Sequence, residues 1–113
     1  MSAPVVQWQM VTRDPEEAAR FYGALFGWKV GAQNALRYRQ VDTGGTPGGI
    51  WPAPAEGPGF VQLFVAVPDV AAAAERAQAL GASIVVPPTV LPDGDTMAIL
   101  HDPNGVPFGL VRG

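Results

Sequence analysis

At 113 residues, 48% of them hydrophobic and 15% charged, the chain has enough apolar material for one packed domain and too little length for two ordinary ones. A net charge of −3 without a basic stripe argues against nucleic acid as a partner. The lack of cysteine excludes a disulfide framework, a thiolate metal site and a cysteine nucleophile.

The opening MSAPVVQWQM has neither a basic leader nor a long apolar run, and no later run is long enough to span a bilayer. No membrane partner is expected, and the cytoplasm is the expected location. Val5–Val11 alternates as a strand, with Val5, Gln7, Gln9 and Val11 on one face and Val6, Trp8 and Met10 on the other. The bulky Trp8 and Met10 should meet a helix layer, which leaves Gln7 and Gln9 on the opposite face. Asp14 and Pro15 open a helix as cap and first residue, and Gly27 closes it. Its apolar stripe is Ala18, Phe21, Tyr22, Leu25 and Phe26.

Trp28–Val30 and Ala35–Val41 read as strands, Thr43–Gly49 as a turn, and Ile50–Trp51 as a short strand stopped by Pro52. Residues 53–59 read as an extended Pro/Gly/Ala linker. Phe60–Val67 is the next strand, with Gln62 and Phe64 on one face. A helix over Val70–Leu80 is capped by Asp69 and ended by Gly81, with Val70, Ala73, Ala74, Ala77 and Leu80 as its stripe. Ser83–Val86 is a strand that Pro87 and Pro88 should end. Asp93 and Asp95 lack the companions a calcium loop needs and read as turn residues. Thr96–Leu100 and Val106–Val111 form a last hairpin around Asp102-Pro103-Asn104-Gly105.

The order strand–helix–strand–strand–strand thus occurs twice. At an offset of 55, Gln7 falls on Gln62, Asp14 on Asp69, Ala18 on Ala73 and Leu25 on Leu80. At an offset of 60, Pro47-Gly48-Gly49-Ile50 falls on Pro107-Phe108-Gly109-Leu110. Neither half buries its apolar sheet face well alone. The expected fold is α+β: two tandem βαβββ modules, residues 4–52 and 60–112, forming a curved mixed sheet with a cleft in front and helices on the outer face.

With its Asp14…Phe21-Tyr22…Leu25-Phe26-Gly27-Trp28 segment, its Val67-Pro68-Asp69-Val70…Leu80-Gly81 segment and its Asp102-Pro103-Asn104-Gly105…Phe108-Gly109-Leu110 ending, the chain resembles the glyoxalase/bleomycin-resistance/dioxygenase superfamily, also called the vicinal oxygen chelate fold. The superfamily includes lyases, isomerases, ring-cleaving dioxygenases, thiol transferases and antibiotic-sequestering proteins, so the fold does not give the reaction. Metal-using members hold one divalent ion with His, Gln or Glu on the first, fourth, fifth and eighth strands. The resemblance places those positions at Gln7, Gly49, Gln62 and Gly109. Two neutral amides and two glycines supply no charge to balance an ion, and His101 is the only histidine. The expectation is therefore no metal cofactor.

The candidate ligand-binding residues are Gln7, Gln9, Gly49, Trp51, Gln62, Phe64, His101 and Gly109. Gln7 and Gln62 read equally as amides that hold a polar ligand or as polar residues bonded to each other on a partly solvated face. Gly49 and Gly109 read as room for a flat ligand or as bulge positions. Trp51 reads as an aromatic binding wall, a subunit contact or core. Arg37 and Arg39 read as an anion clamp or, more simply, a solvated edge, with Tyr38 and Gln40 on the other face.

Two function classes follow. One is a protein that binds a small aromatic or polar metabolite or antibiotic without the usual metal. The other is a glyoxalase-like metal-dependent lyase or isomerase, or a dioxygenase, with ligands from unusual positions such as His101 or Glu56. Catalysis without a metal belongs beside the first. Members of the superfamily commonly pair, so a homodimer is expected.

Overall fold

A computed structural model describes residues 2–53 and 58–113. Most of the linker expected at 53–59, with Glu56 in it, lies outside the described residues. The elements are β1 (Val5–Thr12), α1 (Pro15–Phe26), β2 (Lys29–Val30), β3 (Arg39–Asp42), β4 (Gly48–Pro52), β5 (Phe60–Val67), α2 (Val70–Ala79), β6 (Ser83–Val90), β7 (Thr96–His101) and β8 (Pro107–Arg112). The class is α+β, with the strand–helix–strand–strand–strand order twice. The residues pack as two compact units, Gln7–Gln62 and a second in which residues up to Val6 join Leu63–Gly113.

In the first unit the strand order is β2-β3-β4-β1, with β1 and β4 parallel and the other pairs antiparallel. Alternation sorts the side chains as expected. Trp8 turns toward α1, where it packs on Trp28 at 5.4 Å between ring centroids, and Trp28 stacks on Tyr22 at 5.4 Å. The Trp8 ring fills the space where a side chain at Gly48 would sit. Gln9 and Gly49, the next pair in register, turn to the opposite face.

Both helices start as the sequence dictates. Asp14 Oδ1 accepts from the Glu17 amide at 3.0 Å, and Asp69 Oδ1 from the Ala72 amide at 3.0 Å, each satisfying an otherwise unpaired first-turn N–H. Gly27 ends α1 in the left-handed region at φ 71°, which a residue with a Cβ adopts only at a cost.

The stripe expected on α1 is not a buried one. Phe21, Leu25 and Phe26 are all more than half exposed, and no residue of α1 is fully buried. The helix lies against the sheet through small residues instead, with Gly23 so near that an added Cβ would stand 3.5 Å from the Trp28 carbonyl oxygen. The large side chains are left on the outward flank.

In the second unit the order is β5-β8-β7-β6, with β5 and β8 parallel and the rest antiparallel. Val70 and Ala74 of α2 pack on Ala98, Leu100 and Leu110 to make a conventional core. Leu80, expected to complete the α2 stripe, instead caps the helix and is two-thirds exposed.

Three strand boundaries differ from expectation. Ala35–Tyr38 is a turn, and β3 begins only at Arg39. Asn34 decides this, because its Oδ1 accepts from the Leu36 and Tyr38 amides at 2.9 and 3.0 Å and takes the backbone donors a strand would use. β4 begins two residues early, at Gly48, where it pairs with Trp8. β6 runs on through Pro87 and Pro88 to Val90. As an edge strand it tolerates two missing N–H groups, and its register slips twice on the way.

Candidate functional site

The first unit's face opposite α1 carries a small polar cluster. β1 places Gln9 and β5 places Gln62 so that Gln62 Nε2 donates to Gln9 Oε1 at 3.2 Å. Both residues are buried, at 8% and 6% exposure. The Gln9 side chain also lies beside the Tyr38 hydroxyl, close enough to act on its proton. Burial raises the Tyr38 pKa above its ordinary value of 10.0, and the bond from Gln9 opposes that rise only in part. The phenol is therefore neutral at any physiological pH. Gln62 Oε1, a buried acceptor, has no partner among the described residues.

Tyr38 reaches this point from the turn that Asn34 holds. Its hydroxyl end occupies the space a side chain at Gly49 would take. Trp51, two residues along β4 on the same face, stands 5.4 Å from the Tyr38 ring. Arg37, just before Tyr38, adopts φ 64°, a left-handed conformation uncommon for a residue with a Cβ. Beside this cluster lies a cavity of about 430 Å³ lined by Gln7, Lys29, Tyr38, Gln40 and Asp42 among others. Tyr38 thus borders the cavity on one side and meets Gln9 on the other.

The remaining candidates fall elsewhere. Arg39 points to the helix side, where it pairs with Glu16 of α1 and donates to the Gly31 carbonyl oxygen at 3.0 Å. It is a structural tie and not half of an anion clamp. In the second unit, Phe64 lies over Gly109 and fills the space a side chain there would need. His101 ends β7 half-buried, paired with Pro107 and Ser83. Asp93 Oδ1 accepts from the Asp95 amide at 2.9 Å, as turn residues do.

Neither Gly49 nor Gly109 leaves an open gap in its own unit, because an aromatic side chain occupies the volume beside each. Strand alternation alone puts Tyr38 on the face opposite Arg37 and Arg39 and does not single it out. The available signal was Asn34 four residues earlier, a residue type that nucleates a turn and so frees the next aromatic from strand geometry.

The donor set does not suit a divalent ion. Among the described residues no three His, Cys, Asp or Glu side chains converge, and the amides on the polar face are neutral, so nothing there balances the charge of an ion. What the cluster offers is hydrogen bonding without charge beside two aromatic rings.

A second, wider groove of about 1090 Å³ runs beside α1, lined by Met10, Arg13, Glu17, Phe21, Phe60 and Val61 among others. Of the exposed apolar side chains of α1, only Phe21 lines it; Leu25 and Phe26 lie outside it.

Among solved structures, the fold matches the hypothetical protein BH1468 of Bacillus halodurans C-125, with TM-score 0.74, 13% identity and 100% of this chain covering 96% of that one. Methylmalonyl-CoA epimerase of Mycobacterium tuberculosis matches with TM-score 0.72 and 16% identity, over 99% of this chain and 92% of that one. A variant of the Streptomyces coelicolor methylmalonyl-CoA epimerase in complex with 2-nitronate-propionyl-CoA matches with TM-score 0.69 and 20% identity, over 99% of both. At these identities the likeness is one of fold.

In sequence, the chain is 28% identical over 109 residues to "Putative glyoxylase CFP32" of Mycobacterium bovis and of Mycobacterium tuberculosis, covering 92% of this chain. It spans only 42% of the length of those relatives. The family model of the glyoxalase-like domain matches residues 6–111. The chain therefore belongs to the glyoxalase-like domain family.

Proposed function

We propose that the chain binds a small, planar, aromatic or polar metabolite or antibiotic on the polar face of its first module, without the divalent ion that metal-using relatives of the superfamily hold. The observation that carries this reading is the buried Gln9–Gln62 pair under Tyr38 and Trp51, next to a cavity of about 430 Å³. That volume suits a ligand of drug size, and aromatic walls with few polar groups are the usual lining of such sites. Gln7, at the rim of the cavity, adds a further amide. Gly49 lets Tyr38 lie close to the strand. Phe64, His101 and Gly109 belong to the second module, and their part in binding is an expectation from the repeat.

The test is a metal analysis of the purified protein together with titration of aromatic fragments followed by amide NMR. Fragment-induced shifts at Tyr38, Trp51 and Gln62 in protein with under one tenth of an equivalent of metal are expected. Stoichiometric metal with metal-dependent turnover overturns the reading in favour of a glyoxalase-like lyase or isomerase, or a dioxygenase. The epimerase neighbours lend that alternative a fold precedent. The donor set on this face argues against it.

We assign a second copy of the chain to the exposed flank of α1. Phe21, Leu25 and Phe26 expose apolar surface of the kind that subunit contacts cover, and the groove that Phe21 lines adds Phe60 and Val61. The CFP32 relatives, more than twice as long, have length for a second domain of this size. Light scattering at micromolar concentration should give about twice the 11.8 kDa chain mass, and the single-chain mass would refute the pairing.

A further inference from the structure

We infer that the groove beside α1 is one half of a two-fold contact between copies of this chain, in which the two α1 helices lie antiparallel, Glu17 of each meets Arg20 of the other, and Leu25 of each seats in the other's groove. The inference rests on the pairing assigned above to the flank of α1 and adds its register.

A two-fold contact sets one surface against itself, so that surface must carry both the projecting groups and the recess that receives them. The first unit carries both on one helix. Leu25 and Phe26, each more than half exposed, project from the C-terminal half of α1 and lie outside the groove. The groove of about 1090 Å³ follows the N-terminal half, with Met10, Phe21, Phe60 and Val61 as its apolar lining. All of these residues belong to the first unit. Phe21, Phe60 and Val61 are exposed, so the apolar lining is open to a partner.

The charges at the groove match their own copy as well. Arg13, Asp14, Glu17 and Arg20 line it, two cations and two anions that sum to zero. A surface of one sign would repel a second copy of itself, and this one does not. Asp14 is occupied as the cap of α1. Arg20 reaches only Glu16, at 3.8 Å, and Glu16 also pairs with Arg39. Glu17 makes no ion pair among the described residues, although Arg20 stands three positions along the same helix.

The pairing of Glu17 with the partner's Arg20 fixes the direction of the helices. A parallel two-fold pair sets each residue against its own copy, so Glu17 would face Glu17 of the partner subunit. An antiparallel pair with its axis between Ala18 and Ala19 makes the Glu17–Arg20 contact twice. Ala18 lines the groove and is small enough for two helices to approach closely there. At about 1.5 Å per residue, Leu25 lies about 10 Å along α1 from that axis, and the two-fold carries it the same distance beyond, to the Thr12–Asp14 end of the partner's groove. Phe21, between the axis and Leu25, comes under the first turn of the partner's helix.

Light scattering and sedimentation equilibrium of the full chain test this register. Glu17→Arg and Arg20→Glu each set like charges across both halves of the contact and should raise the dimer dissociation constant about tenfold. An equimolar mixture of the two variants should return to within about threefold of wild type, because each supplies the charge that the other faces. Leu25→Ser should weaken the dimer by about tenfold with unchanged helix content by circular dichroism, and Leu80→Ser, at an equally exposed leucine ending α2, should leave the mass unchanged. A wild-type chain of single mass, or a wild-type dimer that Leu25→Ser leaves intact, overturns both this inference and the pairing on the flank of α1. A dimer that Leu25→Ser weakens, but that ignores both charge changes or does not recover in the mixture, overturns the inference and leaves the pairing standing.

Discussion

The two modules place a glycine at the same point and cover it in different ways. Gln9 faces Gly49 across β1 and β4, and Phe64 faces Gly109 across β5 and β8. These are the pairs that the internal repeat equates, position 9 with 64 and position 49 with 109. In the second module Phe64 covers Gly109 directly and is itself 2% exposed. In the first, the strand residue is a glutamine, too polar to serve as a plug, and the aromatic comes from a surface turn as Tyr38. One module closes the position with core, the other with a half-buried phenol brought in from a surface turn beside Gln9. The same contrast appears in the helices, since α2 buries Val70 and Ala74 while α1 buries nothing fully. The second module buries a conventional core under its helix, and the first leaves a polar face and an exposed helix flank.

The largest test of this contrast removes the two plugs. Phe64→Ala deletes a fully buried ring and should lower unfolding free energy by about 3–5 kcal/mol, the range for a large aromatic in a core. Tyr38→Ala, at a half-buried ring on a turn, should cost about 1 kcal/mol. Urea unfolding of both variants measures the difference, and equal losses would erase the distinction between plug and lid.

The glycines give a smaller version of the same comparison. An added Cβ at Gly109 runs into the Phe64 ring, held on all sides, so Gly109→Ala should destabilise by about 1–3 kcal/mol as an overpacking change. At Gly49 the obstacle is the hydroxyl end of Tyr38, which can swing aside on its turn. Gly49→Ala should therefore cost under about 1 kcal/mol and instead expose Tyr38, read as greater quenching of its fluorescence by acrylamide. A Gly49→Ala loss as large as that of Gly109→Ala would mean that the turn is as rigid as the core.

Much of this architecture was legible in the residues. β5 runs Phe60–Val67 as the FVQLFVAV pattern indicates, and the Asp14 and Asp69 caps were visible because short acids before a helical stripe have one dominant use. What was not legible came from competition between rules. Ala35–Tyr38 alternates like a strand, but a local bond from Asn34 outweighs the alternation. Pro87 and Pro88 look like a stop, but an edge strand has no use for the missing donors. The α1 stripe has helical spacing, but spacing says only which residues share a flank and not whether a partner covers it. For the site, the chemistry of Gln62 and the glycines could be read, whereas the pairing of Gln62 with Gln9 and the arrival of Tyr38 depend on three-dimensional neighbours.

The lid also has a titration that the plug lacks. Burial favours the neutral Tyr38 phenol and raises its pKa above 10.0, so the folded protein holds that proton more tightly than the unfolded chain does. The stability this supplies is whole below pH 10 and fades as pH rises from there through the folded value. In Tyr38→Phe the proton is absent, so its stability curve should be flatter than wild type above pH 10 and unchanged in shape below it. Comparing urea midpoints of the two proteins between pH 8 and pH 11 checks this, with Phe64→Leu as a control that lowers the curve without changing its slope. If Tyr38→Phe and wild type lose stability in parallel across that range, the phenol is solvated in the folded state, and Tyr38 does not cover Gly49 in solution.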